Sequence, residues 1–209
     1  MIRGRLGRLG REHPGGASVL ACGSGIGSLG RAAVRAALRL DQDLFDRAAR
    51  RHSPLLDQAL PCLTRTADYG MLWMAIAGAL ALAGGPRGRR AAQSGLIAIA
   101  ITSALANQLA KRSFDRRRPL LASVPLVRRA QRMPTSASFP SGHAASAAAF
   151  ATALATTAPA TAVPVGMLAA GVSYSRVHTG VHYPADVAAG ALLGFSVGLL
   201  VGRRARRRR

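Results

Sequence analysis

The sequence predicts an all-α, membrane-embedded helical bundle of about five transmembrane helices, preceded by an amphipathic helical segment. Three observations carry that expectation. Hydrophobic residues make up 49% of the 209-residue chain although aromatics are only 4%, so the apolar content is mostly Ala, Leu, Val and Gly; small residues of this kind let membrane helices approach closely. Five apolar stretches, roughly 69–85, 93–110, 143–158, 162–174 and 187–201, fill most of the second two thirds of the chain. A formal charge of +21, from 29 basic against 8 acidic residues, is carried almost wholly by Arg and gathers in the arm, connectors and tail.

A helix crossing the hydrocarbon core needs about 20 residues, with about 17 as the lower end. Several of the five stretches are therefore short by apolar count and must borrow polar residues at their ends. A buried bundle in a soluble protein would show similar runs, but here only short or basic connectors separate five of them.

Residues 1–30 begin with Arg3, Arg5, Arg8 and Arg11 and continue through a Gly/Ser-rich segment too short for the apolar core of a signal peptide, so they read as a basic, poorly ordered arm. From Leu29 to His52, Ala33, Val34, Ala37, Leu38, Leu44, Phe45 and Ala48 recur at helical spacing among Arg and Asp, which predicts an amphipathic helix or helix pair on a membrane surface. Pro54 and Pro61 punctuate the next piece, expected to pack beside the bundle. The membrane domain spans residues 31–202, and the basic tail 203–209 is suited to anionic headgroups. Cys22 and Cys62 form neither a CxxC pair nor a zinc-site spacing and read as small apolar residues.

Three short stretches at the borrowed ends carry the chemistry: Lys111 with Arg118-Pro119 seven and eight residues on, Pro140-Ser141-Gly142-His143, and Ser175-Arg176 with His182 and Asp186. If the five stretches cross alternately, all of these fall on one face. A phosphate ester resists attack because its oxygens are negative, so a site must neutralise them while supplying a nucleophile and a proton for the leaving oxygen. Lys111, Arg118 and Arg176 suit the first task, Arg through a planar fork that grips two oxygens. With Pro140 expected at the first helical position, Ser141 and Gly142 offer a hydroxyl and backbone N–H groups at a helix start, where the dipole favours an anion. His143 lies within reach of a leaving oxygen as general acid. His182 and Asp186, four apart near a helix start, share a face, so the carboxylate can hold one ring nitrogen and leave the other free for attack.

Taken one at a time, a His at a helix end is more often structural, and Lys or Arg beside an apolar run more often an interfacial anchor. Independent anchors, however, have no reason to assemble two His, one Asp and three cations on one face. His178, Asp115, Arg116 and Arg117 lie beside the signature positions and read as structural or supporting. The basic connector 86–90 and the tail fall on the opposite face and favour the cytoplasm, which points the site outward; the Arg-rich arm and the loop holding Arg112, Arg128, Arg129 and Arg132 argue the other way.

At each defining position the three stretches resemble the signature of the type 2 phosphatidic acid phosphatase and vanadium haloperoxidase superfamily, over about residues 55–200. The longer strings 134–143 and 173–186 look like the phosphatase half of actinobacterial fusions with a diacylglycerol kinase, although no kinase follows Arg209. The resemblance implies a metal-independent, cofactor-free lipid phosphatase in the cell membrane. It casts His182 as a nucleophile forming a phosphohistidine, Asp186 as its orienting partner and His143 as the acid, with Lys111, Arg118, Ser141, Gly142 and Arg176 as the phosphate cradle. Phosphatidic acid, phosphatidylglycerol phosphate and polyprenyl diphosphates are the expected substrate classes. Two alternatives remain: a vanadate-dependent haloperoxidase using the same pocket, and a non-enzymatic, membrane-anchored basic binding protein. Sparse aromatics speak against a specific nucleic-acid partner.

Overall fold

The computed structural model describes residues 28–113, 116–120, 124–129 and 137–207, with the side chains of 28, 29 and 109–113 outside the description. Nearly all of the arm, and Cys22 with it, lies outside the described residues.

Among the described residues the architecture is helical throughout. It comprises α1 (Ser28–Arg50), α2 (Pro54–Thr66), α3 (Met71–Ala83), α4 (Gly85–Ser113), α5 (Gly142–Thr157), α6 (Ala162–His178) and α7 (Pro184–Arg207). The amphipathic segment is one helix rather than a pair: Asp41, Phe45 and Ala49 point inward at four-residue spacing while Leu40 and Leu44 face out. Pro54 opens α2 at a position where its missing N–H costs nothing, and α2 packs on α6.

Helices α3 to α7 coincide with the five apolar stretches, with two differences. The basic connector 86–90 is not a loop but the start of α4, entered through Gly85 at φ 57° and Pro86. Arg203, Arg204, Arg206 and Arg207 continue α7, where cations suit the negative end of the helix dipole. By length and composition α7 is long and apolar enough to span a membrane, as is the pair α2–α3, bent by 58° at its junction. With 13, 16 and 17 residues, α3, α5 and α6 reach only about 20–26 Å at 1.5 Å per residue, so their polar ends must complete any crossing.

Helix α5 occupies the centre and is buried on nearly all sides by α4, α6 and α7. Trp73 of α3 meets Phe150 of α5 with ring centroids 5.4 Å apart, joined by Leu154, Val165 and Val172. The tightest contact is α5 against α7, where Gly190, Gly194, Gly198 and Gly202 recur every fourth residue. A Cβ on Gly194 would lie 2.0 Å from the Ala145 carbonyl oxygen, and one on Gly190 2.3 Å from that of Ser141. Only hydrogen side chains permit this spacing, which sets the start of α7 directly against the start of α5. Leu82, Met167, Val163, Leu192, Phe195 and Leu200 meanwhile lie on the exterior, an apolar outer surface that suits hydrocarbon surroundings.

Candidate active site

The site is built where α6 ends and α5 and α7 begin. Helix α6 closes in a Schellman motif: Gly180 adopts φ 74°, its N–H donates to the Val177 carbonyl at 3.0 Å, and the Val181 N–H donates to the Arg176 carbonyl at 3.1 Å. The His182 N–H shares that carbonyl, also at 3.1 Å, so the backbone ties His182 to Arg176.

Two residues later α7 starts at Pro184, and Asp186 in its first turn accepts the Tyr183 N–H on Oδ2 at 3.0 Å. This is the return half of a capping box, with the carboxylate at the positive end of the helix. Asp186 is wholly buried. Its Oδ1 accepts from Arg116 Nη1 at 2.7 Å, and its Oδ2 also accepts the Ser138 hydroxyl. His182 Nδ1 stands 3.6 Å from Oδ2 and 3.5 Å from Ser138 Oγ.

The opposite ring nitrogen of His182, Nε2, lies 3.3 Å from Arg118 Nη1. Arg118 is held in place by the Val181 carbonyl at 2.9 Å and the Ala137 carbonyl at 3.2 Å. Burial, followed by the nearby Arg176 and Arg118 charges, lowers the His182 pKa below its ordinary value, while Asp186 opposes the shift. The ring is therefore neutral at neutral pH.

Arg176 is buried, donates to Thr64 Oγ1 of α2 at 2.6 Å, and has no partner for Nε among the described residues. The Ser141 hydroxyl is likewise buried without a partner among the described residues. Unmet buried donors are costly, and an anion's oxygens would satisfy both. The structure corrects the expected use of Pro140 and Ser141. The N-cap is Ser141 and the helix begins at Gly142, so Pro140 precedes it. The Ser141 amide is already bonded to the Asp186 carbonyl at 3.0 Å. Its hydroxyl, with the amides of Gly142 and His143 ahead of the first helical bond at Ala145, is what the helix start offers an anion.

His143 Nε2 lies 2.9 Å from Asp68 Oδ1, in the turn between α2 and α3. It is close enough to feel the charges of Arg176 and His182. Lys111 sits two residues before the end of α4; its side chain is outside the described residues. Asp115, Arg112 and Arg132 also fall outside.

The two His, Asp186, Arg118, Arg176 and Ser141 thus share one end of the bundle. Sequence reasoning missed Ser138, Asp41 and Asp68, and it left Arg116 among the supporting residues. Arg116 bridges Asp186 to Asp41 of α1, whose Oδ1 also accepts the Ala185 N–H at 2.8 Å, and its guanidinium lies 4.5 Å from the Tyr183 ring centre. His178 instead belongs to a buried structural cluster, 3.1 Å from Asp57, which pairs with the fully buried Arg128.

Fold and site together define a helical-bundle protein with two histidines, two arginines and a buried aspartate gathered at one end. The chain belongs to the PAP2 superfamily, whose model matches residues 93–209. It is 38% identical over 136 residues to a protein of Mycobacterium tuberculosis named decaprenylphosphoryl-5-phosphoribose phosphatase, covering 63% of this chain and 70% of that one. Among solved structures, LpxE of Aquifex aeolicus superposes with a TM-score of 0.66 at 25% identity, over 78% of this chain and 95% of the other. The first transmembrane PAP2 type phosphatidylglycerolphosphate phosphatase from Bacillus subtilis shares the fold, with a TM-score of 0.59 at 24% identity, over 84% and 88%.

Proposed function

We propose that this protein is an integral, multi-pass membrane phosphatase that cleaves a lipid phosphate or diphosphate through a phosphohistidine on His182. The observation that carries the reading is the position of the His182 ring. Its Nδ1 faces Asp186 and Ser138, while its Nε2 faces the guanidinium of Arg118.

The substrate phosphate binds against Arg118, Arg176, the Ser141 hydroxyl and the first amides of α5, with Lys111 as a further cation. Neutral Nε2 attacks phosphorus and the P–O bond to the lipid breaks. His143 donates a proton to the departing oxygen, while Asp186 stabilises the charge that develops on the His182 ring. Water then attacks the phosphohistidine, His143 takes its proton, the P–N bond breaks and inorganic phosphate leaves. The guanidinium groups neutralise the phosphoryl oxygens throughout, so the reaction proceeds without a metal ion.

The relative named decaprenylphosphoryl-5-phosphoribose phosphatase supports a lipid-linked phosphate as the substrate class. The apolar exterior of α6 and α7 supports a membrane location, with the site on the extracytoplasmic side and the Arg-rich end of α7 on anionic headgroups. The test is phosphate release from lipid phosphates by purified protein in detergent. His182→Ala should abolish release, and labelled substrate should leave an acid-labile, alkali-stable label on the wild-type chain. Chelators should leave the rate intact. Full activity in His182→Ala refutes the mechanism.

A further inference from the structure

The strongest unassigned feature is the contact between His143 and Asp68. We propose that Asp68 selects the leaving group: its carboxylate flanks the place where the departing oxygen is protonated, favouring monoesters of hydroxyl-bearing alcohols over diphosphates. The inference rests on the phosphatase reading above and narrows its substrate class.

Asp68 Oδ1 is 2.9 Å from His143 Nε2. A leaving oxygen protonated by His143 must come within about 2.6–3.2 Å of one of its ring nitrogens, and with Nε2 only 2.9 Å from Asp68 Oδ1 both nitrogens lie within one imidazole ring's width of that carboxylate.

Exposure separates Asp68 from the other carboxylates nearby. The side chains of Asp41, Asp57 and Asp186 are 7%, 9% and 0% exposed and are each held by an Arg, whereas that of Asp68 is 44% exposed and, among the described residues, bonds to one His that is itself 25% exposed. Its Oδ2 has no partner among the described residues.

The turn that presents Asp68 is strained. Tyr69 adopts φ 54° and Gly70 φ 74° at the bend between α2 and α3, although Tyr69 is 86% exposed and gains no packing that would account for it. A non-glycine residue in the left-handed region costs free energy and marks a place where the backbone is committed to a task.

The electrostatic consequence is discrimination through repulsion. When a diphosphate is cleaved, the departing group is a phosphate monoester, and its negative oxygens would lie against a second anion. When a polyol monoester is cleaved, the departing oxygen is neutral and a neighbouring hydroxyl can donate to Oδ2. The competing explanation is that Asp68 merely orients His143; that role would affect all substrates alike.

The test compares kcat/KM of the full chain and its Asp68→Asn variant, in detergent, on phosphatidylglycerol phosphate, phosphatidic acid and farnesyl diphosphate. Their departing groups are a hydroxyl-bearing alcohol whose one charge is a phosphodiester on the far side of the glycerol, a neutral alcohol without a further free hydroxyl, and a phosphate monoester charged at the departing oxygen itself. Asn keeps an oxygen for His143 and removes the charge. The ratio of phosphatidylglycerol phosphate to farnesyl diphosphate activity should fall about tenfold or more in the variant, with the diphosphate rate rising. Phosphatidic acid should change less than phosphatidylglycerol phosphate. An equal loss on all three, or no change, overturns the selector role and leaves the phosphatase reading standing; a wild-type enzyme that cleaves none of them overturns that reading itself. If the variant fails to fold, wild-type inhibition decides: inorganic phosphate should inhibit more strongly than pyrophosphate, and the reverse order overturns the proposal.

Discussion

Arg116 and Asp186, seventy residues apart in sequence, meet inside the protein at 2.7 Å, and the other end of the same guanidinium engages Asp41 of α1. One partly buried cation thus links the amphipathic helix, the Arg-rich loop and the carboxylate beside His182. Replacing Arg116 with Met leaves two largely buried carboxylates facing each other without a counter-charge. Breaking one side of a buried pair costs about 3–5 kcal/mol, so Arg116→Met should unfold at clearly lower temperature in detergent. Arg116→Lys keeps the charge but not the fork and should recover part of the stability and less of kcat.

The neutral state of His182 makes a second prediction. Its folded pKa lies below the ordinary imidazole value because burial disfavours the charged form. The acidic limb of kcat/KM should therefore fall below about pH 6.5, the ordinary imidazole value. Asp186 pulls against that shift, so Asp186→Asn should move the limb to still lower pH while reducing the rate at every pH. Stability follows the same sign. The unfolded chain binds this proton first, so unfolding free energy rises with pH between the two pKa values and is lost as pH falls through them. A limb above pH 7, or one that moves upward in Asp186→Asn, contradicts the neutral-nucleophile assignment.

How legible the site was in the sequence depends on where each partner lies in the chain. His182 and Asp186 sit in one turn, and Pro140 to His143 are contiguous, so local spacing was enough to find them. Helices α3 to α7 were legible for the same reason, as apolar runs with polar ends. Asp68, Ser138 and Asp41 act through partners 75, 48 and 144 residues away, and no periodicity within a segment encodes such a pairing. Arg116 stood among several Arg, with nothing local to single it out. The start of α4 was misjudged because Arg87, Arg89 and Arg90 read as a loop, although Arg is a good helix former. The commitment of the Ser141 amide to Asp186 was hidden because it depends on the approach of α5 and α7.

That approach is itself testable. Gly194→Ala would set a methyl group 2.0 Å from the Ala145 carbonyl oxygen, so α5 and α7 must separate. Overpacking of this kind costs typically about 1–3 kcal/mol, and the Ser141 to Asp186 bond at 3.0 Å lies at the end of the same interface. Both the melting temperature and kcat should fall. Gly166→Ala is the control: nothing lies within 4 Å of its would-be Cβ on α6, so the change should be neutral or stabilising by up to about 1 kcal/mol through helix propensity. Equal behaviour of the two variants would show that the glycine stripe does not set the helix spacing.

Gly180 separates backbone geometry from side-chain chemistry at the site, because it contributes no functional group. At φ 74° it turns the chain so that the amides of Val181 and His182 both reach the Arg176 carbonyl. An alanine there pays roughly 1–2 kcal/mol for the left-handed conformation, and relaxation of that strain would swing the His182 ring away from Arg118 and Asp186. Gly180→Ala should therefore lower kcat with a smaller effect on KM, since Arg118, Arg176 and Ser141 remain to bind phosphate. Asn tolerates the left-handed region better than Ala, so Gly180→Asn should recover part of both stability and kcat despite its larger side chain. If Asn proves worse than Ala, the limit at this position is space rather than backbone conformation, and the tie between the end of α6 and the His182 ring loses its role in alignment.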